Sequence, residues 1–214
     1  LEPSAGDARI AGYSIRQESM AVKRVIGVVP QEIALYEDLS ARENLTFWGR
    51  MAGMSGAALK QRVDEVLAQI GMSDKANQRV KTYSGGMKRR VNIGAGLLHQ
   101  PRILFMDEPT VGIDPQGRRN ILAAVKALNQ QGMTVLYTTH YMEEAEELSH
   151  RVGIIDHGQL IPLRTQAELT RMIGEHDILR LHLAEGADVD VLAAALRTLP
   201  DVLHVSTTDN QVVL

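Results

Sequence analysis

The chain has no cysteine, and this absence excludes several classes of site. Without a thiol, its 214 residues can form no disulfide, no thiolate metal site and no cysteine nucleophile, and a reducing compartment suits such a composition. Aromatic residues make up only 4% of the chain, so rings for stacking nucleic-acid bases are not expected. The net charge of -3 provides no broad basic surface. We therefore expect no nucleic-acid partner.

Long hydrophobic segments are also missing. No apolar run approaches the roughly 20 residues that a membrane-spanning helix needs. Residues 1–7 lack the charged-then-apolar layout of a signal peptide. The first residue is Leu1 rather than Met, so we expect the chain to begin inside a longer gene product. The hydrophobic fraction of 44% and the charged fraction of 23% are ordinary for a globular protein of one domain with an appendage, or of two small domains.

The stretch 103–109 organises the rest of the sequence. A short apolar run there ends at Asp107 and Glu108 and is followed by Pro109. This pattern is typical of a buried parallel strand whose acids emerge at its carboxyl end, where open α/β sheets bind ligands. The first acid of such a pair can hold Mg²⁺ on a nucleotide, and the second can polarise an attacking water. Taken alone, the stretch fits equally well a strand that ends in a solvated Asp-Glu turn.

Start and stop signals around this strand predict alternating strands and helices. Before it we predict short β structure at 7–16, a strand at 25–30, a helix from the capping box Ser40–Glu43 through about Met51, a helix with its apolar face at 59–70 that stops at Gly71, and a helix from the turn Ser84-Gly85-Gly86 through Leu98. After it we predict a helix from Asp114-Pro115 to near Gly132, a strand at 133–139, and a helix with acidic residues in its first turns at 143–147. This order indicates a parallel α/β sheet.

The pattern changes beyond residues 156–159. There we predict a helix near 166–173, a strand at 178–183, a helix at 189–199, and strands at 202–205 and 211–214. These elements indicate a small α+β appendage at 161–214 with a thin core of its own.

Five features follow one another in a fixed order along the first 160 residues. They are Gln31 after a strand, the Ser84-Gly85-Gly86 turn, the acids Asp107-Glu108, the segment Gly112-Ile113-Asp114, and His140 after a strand. In this order and spacing the chain resembles the ATP-binding domain of ABC transporters, which carries a Q-loop, a signature motif, a Walker B strand, a D-loop and a switch histidine. The resemblance implies a P-loop NTPase-like α/β fold for residues 1–160 with a helical subdomain inserted at about 38–100.

The resemblance also implies roles for the residues at the strand ends. Asp107 and Gln31 would bind nucleotide and Mg²⁺, either directly or through water. Glu108 would be the catalytic general base for the hydrolytic water. His140, the second catalytic residue, would sense or stabilise the γ-phosphate, which suits a side chain that changes charge near physiological pH. The cofactors implied are ATP and Mg²⁺.

The signature motif and the D-loop would act across a dimer. Ser84, Gly85, Gly86 and Met87 stand at a helix start, where backbone amides can approach a phosphate closely. In the family this element meets ATP that is held by the opposite subunit, and Asp114 belongs to the D-loop. Met87 replaces the usual Gln of the motif, but the Ser-Gly-Gly core is intact, so we expect phosphate contact to survive.

One essential motif of the family is missing. No glycine in the chain is followed by lysine, so the Walker A P-loop, G-x-x-x-x-G-K-[ST], is absent. Leu1–Ile15 resembles the segment that follows the P-loop helix, so we expect the first strands and the P-loop to be absent from an amino-terminally truncated domain. We predict that the chain alone cannot bind or hydrolyse ATP appreciably. We also expect the missing helix to leave apolar sheet surface exposed.

The resemblance favours a subunit that couples ATP-driven dimerisation to transport. Its expected partners are a second ATP-binding subunit, in a homo- or heterodimer, and a separate transmembrane permease. The expected location is cytoplasmic and peripheral, on the inner face of the cell membrane. The motif variants at 83–90 and 139–145, together with the appendage, are similar to those of bacterial drug exporters of the ABC-2 type.

Two other functions stay open at this point. A non-transport ABC protein that acts on DNA or ribosomes would need a long coiled coil or a second ATP-binding domain with basic linkers, and neither pattern is present. A catalytically silent interaction module would explain the missing P-loop. Glu108 and His140, both retained, argue against that explanation.

Overall fold

The computed structural model describes residues 3–165, 168–169, 179–182, 189–199, 202, 205–208 and 211–213. The chain divides into two compact units, Leu1–Ser149 and His150–Leu214. The predicted domain boundary after residue 160 therefore lies inside the second unit. No helix of the described residues is both long enough and apolar enough to cross a membrane.

The first unit alternates strands and helices. In chain order it contains β1 (Arg9–Ile10), β2 (Tyr13–Ser14), α1 (Ser19–Val25), β3 (Ile26–Val29), α2 (Ala41–Met51), α3 (Gly56–Gln69), the 3₁₀ turns Ser73–Lys75 and Val80–Thr82, α4 (Gly85–Leu97), β4 (Ile103–Asp107), α5 (Pro115–Gln130), β5 (Thr134–Thr138) and α6 (Met142–Leu148).

A three-stranded parallel sheet forms the centre of this unit, in the order β3-β4-β5. The predicted α/β fold with a parallel sheet is therefore confirmed. Because all three strands run in the same direction, their carboxyl ends meet at one edge of the sheet. Gln31 follows β3, Glu108 follows β4 and His140 follows β5, so the fold brings these side chains to the same edge.

The two faces of the sheet differ in how well they are covered. One face buries Val29, Leu104 and Met106 in the main core against the helices. On the other face, Val28, Phe105 and Leu136 form one row across the three strands, and Val28 is 55% and Leu136 50% exposed. Apolar sheet surface is thus exposed, as the sequence predicts.

Helices α2, α3 and α4 pack together around a close approach at Gly94. A methyl group built on Gly94 would lie 2.9 Å from Ile70 Cδ1 and 3.0 Å from Val66 Cγ1. Helix α2 begins at the predicted capping box, where the Ser40 hydroxyl accepts from the amide of Glu43 and the Glu43 carboxylate accepts from the amide of Ser40. These helices lie within the range predicted for the helical subdomain.

Some element boundaries differ from the predicted ones. The strand predicted at 25–30 is β3 at Ile26–Val29, and Val25 instead ends α1, a helix that was not predicted. This helix has seven residues and buries only Val22, so its apolar periodicity is too short to stand out. The other predicted elements of the first unit lie within a few residues of the observed ones.

The second unit begins with a hairpin that was not predicted. Strands β6 (Val152–Asp156) and β7 (Gln159–Arg164) pair in antiparallel fashion. The two residues between them, His157 and Gly158, both have positive φ angles, of 46° and 77°. Such a two-residue turn matches the twist of paired strands. A polar residue followed by glycine between two apolar runs was the sequence signal for this hairpin.

The rest of this unit is a small α+β arrangement, as predicted. It contains β8 (Arg180–His182), α7 (Val189–Leu196), β9 (Ser206–Thr208) and β10 (Gln211–Val213), with strand order β8-β10-β9. Its core centres on Ala193, Val205 and Val212. Of the strand predicted at 202–205, residues 203–204 lie outside the described residues; Val202 and Val205 are not in a strand, and the described strand next to them is Ser206–Thr208. The helix predicted near 166–173 lies largely outside the described residues.

Candidate active site

Glu108 leaves the central strand with an unusual backbone conformation. Its φ angle is +41°, in the left-handed region that side-chain-bearing residues seldom adopt. Its amide donates to the carbonyl oxygen of Thr138, at 3.2 Å, and to the hydroxyl of the same residue, at 3.1 Å. The end of β5 therefore holds the chain where it turns away from β4.

The Glu108 carboxylate lies between side chains from the two neighbouring strands. Gln31 Nε2 donates to its Oε2 at 3.0 Å, and His140 Nδ1 lies 3.1 Å from its Oε1. An ionised carboxylate only accepts hydrogen bonds, so Nδ1 carries the hydrogen in this pair. The side chains of His140 and Glu108 are 56% and 30% exposed, so water reaches both. The structure thus brings together three residues that the sequence predicts to act together.

Asp107 is adjacent to this group but has a different partner. Its Oδ1 accepts from the Thr138 hydroxyl at 2.6 Å. Thr138 thereby contacts both Asp107 and the amide of Glu108, a role that the sequence does not reveal because it depends on the register of β4 with β5. Within the described ranges, no three acidic or histidine side chains are grouped to hold a metal. Mg²⁺ at this edge would need ligand oxygens from outside the chain, as is usual for Mg²⁺ on a nucleotide.

The Ser84-Gly85-Gly86 turn begins helix α4, as predicted. The Ser84 hydroxyl accepts from the amide of Met87 at 3.3 Å and so caps the helix. Asp114 caps α5 in the same way, accepting from the amide of Gly117 at 3.1 Å. A methyl group built on Gly86 would lie 3.5 Å from Gly117 Cα, so the two helix starts are neighbours. The caps use the amides of Met87 and Gly117, so the amides that precede these in each first turn are the ones that can face a ligand.

Arg89 and Asn92 of helix α4 hold the loop that carries Gln31. Arg89 is only 3% exposed and donates from Nη1 and Nη2 to the carbonyls of Pro30 and Gln31, at 2.8 and 2.6 Å. Asn92 donates to the Pro30 carbonyl at 3.3 Å and accepts from the amide of Ala34 at 3.2 Å. Burial lowers the pKa of the Arg89 guanidinium. Two polar residues three apart on a buried helix face were the only sequence signal for this contact.

Glu144 is fully buried beside the same edge of the sheet. Its carboxylate accepts from Thr110, Tyr137, Thr139 and Arg118. Burial acts to raise the pKa of Glu144, but hydrogen bonds from the three hydroxyls and the charge of Arg118 hold it below its ordinary value. Burial also raises the pKa of the Tyr137 hydroxyl. The sequence predicts an acid in the first turns of a helix here, but not its burial.

Comparison with known proteins identifies relatives along nearly the whole chain. Residues 1–111 match the family described as ABC transporter. The linearmycin resistance ATP-binding protein LnrL of Bacillus subtilis is 48% identical over 202 residues, which cover 94% of this chain and 64% of that protein. The daunorubicin/doxorubicin resistance ATP-binding protein DrrA of Streptomyces peucetius is 40% identical over 197 residues, which cover 91% of this chain and 60% of that protein. The chain thus spans less than two thirds of the length of these relatives.

A solved structure agrees with the sequence comparison. The structure of cbiO1 from Clostridium perfringens, part of the ABC transporter complex cbiONQ, superposes with a TM-score of 0.71 and 26% identity. The match covers 79% of this chain and 69% of cbiO1. The family match spans more than half of the chain and agrees with the parallel sheet and the order of its motifs. The chain therefore belongs to the ABC transporter family.

Proposed function

We propose that this chain carries the hydrolytic residues of an ATP-binding subunit that drives an ABC exporter. The observation that carries the proposal is the Glu108 carboxylate, which is held between Gln31 and His140 where three parallel strands end. A base for water activation needs to be fixed in orientation and accessible to solvent. Glu108 meets both conditions, because it is hydrogen-bonded on both oxygens and 30% exposed.

The residues at this edge fit the metal end of a Mg²⁺–ATP site. Asp107 offers a carboxylate and Gln31 an amide oxygen, both hard oxygen donors of the kind that Mg²⁺ binds. When bound, Mg²⁺ would neutralise charge on the phosphate oxygens. The chain contains no Gly-Lys pair, so the phosphate-binding loop of the family is not among its residues. The residues of this chain therefore fit the metal end of a Mg²⁺–ATP site and not its phosphate-binding loop.

Each residue of the edge has a distinct proposed task. Glu108 accepts a proton from the attacking water at a carboxylate oxygen. His140 donates from Nδ1 to Glu108. Its Nε2, on the far side of the ring, donates to a phosphate oxygen when the ring is protonated, because both nitrogens then carry a hydrogen. Gln31 fixes the second oxygen of Glu108 through its Nε2, so the base keeps one orientation. Asp107, fixed by Thr138, binds the metal.

The signature residues complete a site in a second subunit. Ser84, Gly85, Gly86 and Met87 form the start of α4 beside the D-loop residue Asp114. The free amides of such a helix start suit a phosphate. ATP bound between two such subunits, in a homo- or heterodimer, couples hydrolysis to a separate membrane permease. The drug-resistance names of two relatives favour export as the direction. The proposed location is cytoplasmic, peripheral on the inner face of the cell membrane.

The chain of 214 residues alone is proposed to be inactive. A P-loop supplies backbone amides and a lysine for the β- and γ-phosphates, and these groups account for much of the binding of a triphosphate. Without them, the edge residues face the nucleotide with acidic and neutral groups only, apart from His140. We therefore expect neither measurable ATP affinity nor turnover.

The test compares this chain with a longer version that is extended at its amino terminus by a segment with the family's P-loop. ATP binding is measured by titration calorimetry, and hydrolysis by phosphate release with Mg²⁺. We expect the 214-residue chain neither to bind nor to hydrolyse ATP, and the longer protein to do both. Glu108→Gln in the longer protein should abolish hydrolysis and retain ATP binding, because it removes the base without changing the size of the side chain.

Glu147→Gln provides the matched control. Glu147 lies on α6 and pairs with Lys126 at the surface, so its amide variant should hydrolyse ATP normally. A longer protein that neither binds nor hydrolyses ATP would instead indicate an interaction module. Turnover by the 214-residue chain itself would refute the proposed need for the P-loop.

A further inference from the structure

Glu144 is a buried acid to which the proposed hydrolysis gives no task. Both of its oxygens are saturated: Oε1 accepts from Thr110 Oγ1 at 2.6 Å and from Arg118 Nε at 2.7 Å. Oε2 accepts from the Tyr137 hydroxyl and from Thr139 Oγ1, each at 2.9 Å. A carboxylate has about four acceptor positions, and all four are used here. Such a buried charge is costly to keep unless its hydrogen bonds serve the fold or the site.

The donors to Glu144 come from segments that flank both members of the proposed catalytic pair. Thr110 stands two residues after Glu108, and Thr139 immediately precedes His140. Thr139 Oγ1 also accepts from the amide of Tyr141 at 3.0 Å, so it fixes the backbone on both sides of the histidine. One carboxylate therefore ties together the two loops that present the base and the imidazole.

Arg118 extends this connection to the histidine ring. Its guanidinium carbon lies 4.4 Å from the ring centre of Tyr141, while its Nε donates to Glu144. The ring centre of Tyr141 is in turn 4.2 Å from that of His140, with the planes tilted by 37°. The orientation of the imidazole thus depends on Tyr141, and the position of Tyr141 depends on the pair formed by Arg118 and Glu144.

We propose that Glu144 is a positioning residue that holds His140 in register with Glu108. The inference rests on the proposed function, in which Glu108 and His140 do the chemistry. Glu144 is fully buried and acts through Thr139, Thr110 and Arg118. Its four hydrogen bonds fix the histidine backbone and ring so that Nδ1, and not Nε2, faces the base.

The variant Glu144→Gln tests this role with almost no change in shape. An amide presents one oxygen and one NH₂ group, so the two donors that face the NH₂ lose their acceptor. Arg118 also loses its nearer carboxylate, at 2.7 Å, and keeps the more distant one of Glu143, at 3.8 Å. The expected result is a histidine ring that is no longer held in one orientation, within a fold whose core is unchanged.

The measurement is the tautomeric state of His140, read from its imidazole nitrogen shifts by NMR in the 214-residue chain without nucleotide. We expect the Nδ1–H form to dominate in the unmodified chain and to lose its dominance in Glu144→Gln. The signal is assigned by its disappearance in His140→Gln. Glu147→Gln, an exposed position on the same helix, should leave the tautomer unchanged.

Arg118→Gln and Thr110→Val keep the test decisive if Glu144→Gln does not fold. Each removes one of the four donors, and each should reduce the Nδ1–H population of His140. A lower urea midpoint with an unchanged tautomer in these variants would overturn the proposal and leave Glu144 a purely structural acid. Failure of the proposed function would appear separately, in the turnover assay of the longer protein, because the tautomer is read without ATP.

Discussion

The left-handed backbone at Glu108 predicts that glycine is more stable than alanine at this position, whereas the opposite order is expected at Glu147 in helix α6. The comparison is Glu108→Gly with Glu108→Ala, because both variants lose the same contacts with Gln31 and His140. They differ only in how they tolerate a φ of +41°. Glycine accepts this conformation without a steric penalty, whereas alanine does not. We expect the glycine variant to be the more stable of the two.

The expected difference follows from two opposing contributions. A left-handed conformation costs a residue with a Cβ about 1–2 kcal/mol. Glycine in turn loses about 0.4–1 kcal/mol relative to alanine, because its unfolded chain has more freedom. The glycine variant should therefore be more stable by roughly 0.5–1 kcal/mol. At Glu147, the next-to-last residue of helix α6, the same pair of changes should favour alanine by roughly 0.5–1 kcal/mol.

Urea unfolding followed by the fluorescence of Trp48, the single tryptophan, reports on the unit that contains both positions. With a urea dependence of about 2 kcal/mol per molar, the Glu108 pair should differ in midpoint by roughly 0.3–0.5 M. The Glu147 pair should differ by a similar amount in the opposite direction. Equal midpoints at position 108, or a more stable alanine variant there, would refute the inference that this backbone is strained.

Three further predictions concern packing, acid stability and the loop after β3. Gly27→Ala places a methyl group 2.3 Å from a backbone carbonyl oxygen of α4 and should lower the free energy of unfolding in urea by about 3 kcal/mol. In the control Gly49→Ala, the methyl group meets the movable end of a leucine side chain, so the loss should be far smaller. The pKa of Glu144 is held below its ordinary value of 4.5, so the ionised side chain stabilises the fold fully above that pH and loses this effect as the pH falls. Between about pH 5 and pH 3, the urea midpoint should therefore fall less steeply in Glu144→Gln than in the unmodified chain. Arg89 reaches two successive carbonyls from two separate nitrogens, and Arg89→Lys offers a single nitrogen on a shorter side chain without the planar group. The variant should lower the free energy of unfolding by about 2 kcal/mol, and an unchanged urea midpoint would contradict this.

Local chemistry made the helix starts predictable. The capping box at Ser40 and Glu43 and the Asp114-Pro115 pair specify their hydrogen bonds within four residues, and the structure contains them. The central strand was equally predictable, because a short apolar run between two helices is typical of a buried strand. Parallel pairing then places the residues that follow each strand at one edge, so the meeting of Gln31 and His140 with Glu108 follows from topology.

Contacts that depend on distant partners could not be predicted in this way. The burial of Glu144 requires Arg118 from another helix and Thr110 from another loop, and nothing in the acidic run of α6 distinguishes it from its exposed neighbours. The strand at Ser206–Thr208 is polar and was not predicted, because its pairing with β10 outweighs local composition in a short strand. The roles of the site residues stay predictions until turnover is measured.

The hydrogen bonds of Arg89 couple the Gln31 loop to helix α4. A planar guanidinium that bonds two consecutive carbonyls allows little relative motion, so the backbone at Pro30 and Gln31 should move with α4 when this helix rotates. Glu108 directly follows β4 and is held by Thr138 of β5, so it is not attached to that helix. The length of the hydrogen bond between Gln31 Nε2 and the Glu108 carboxylate therefore depends on the orientation of α4. A tilt of α4 that displaces Ser84 at its amino-terminal end should change this length.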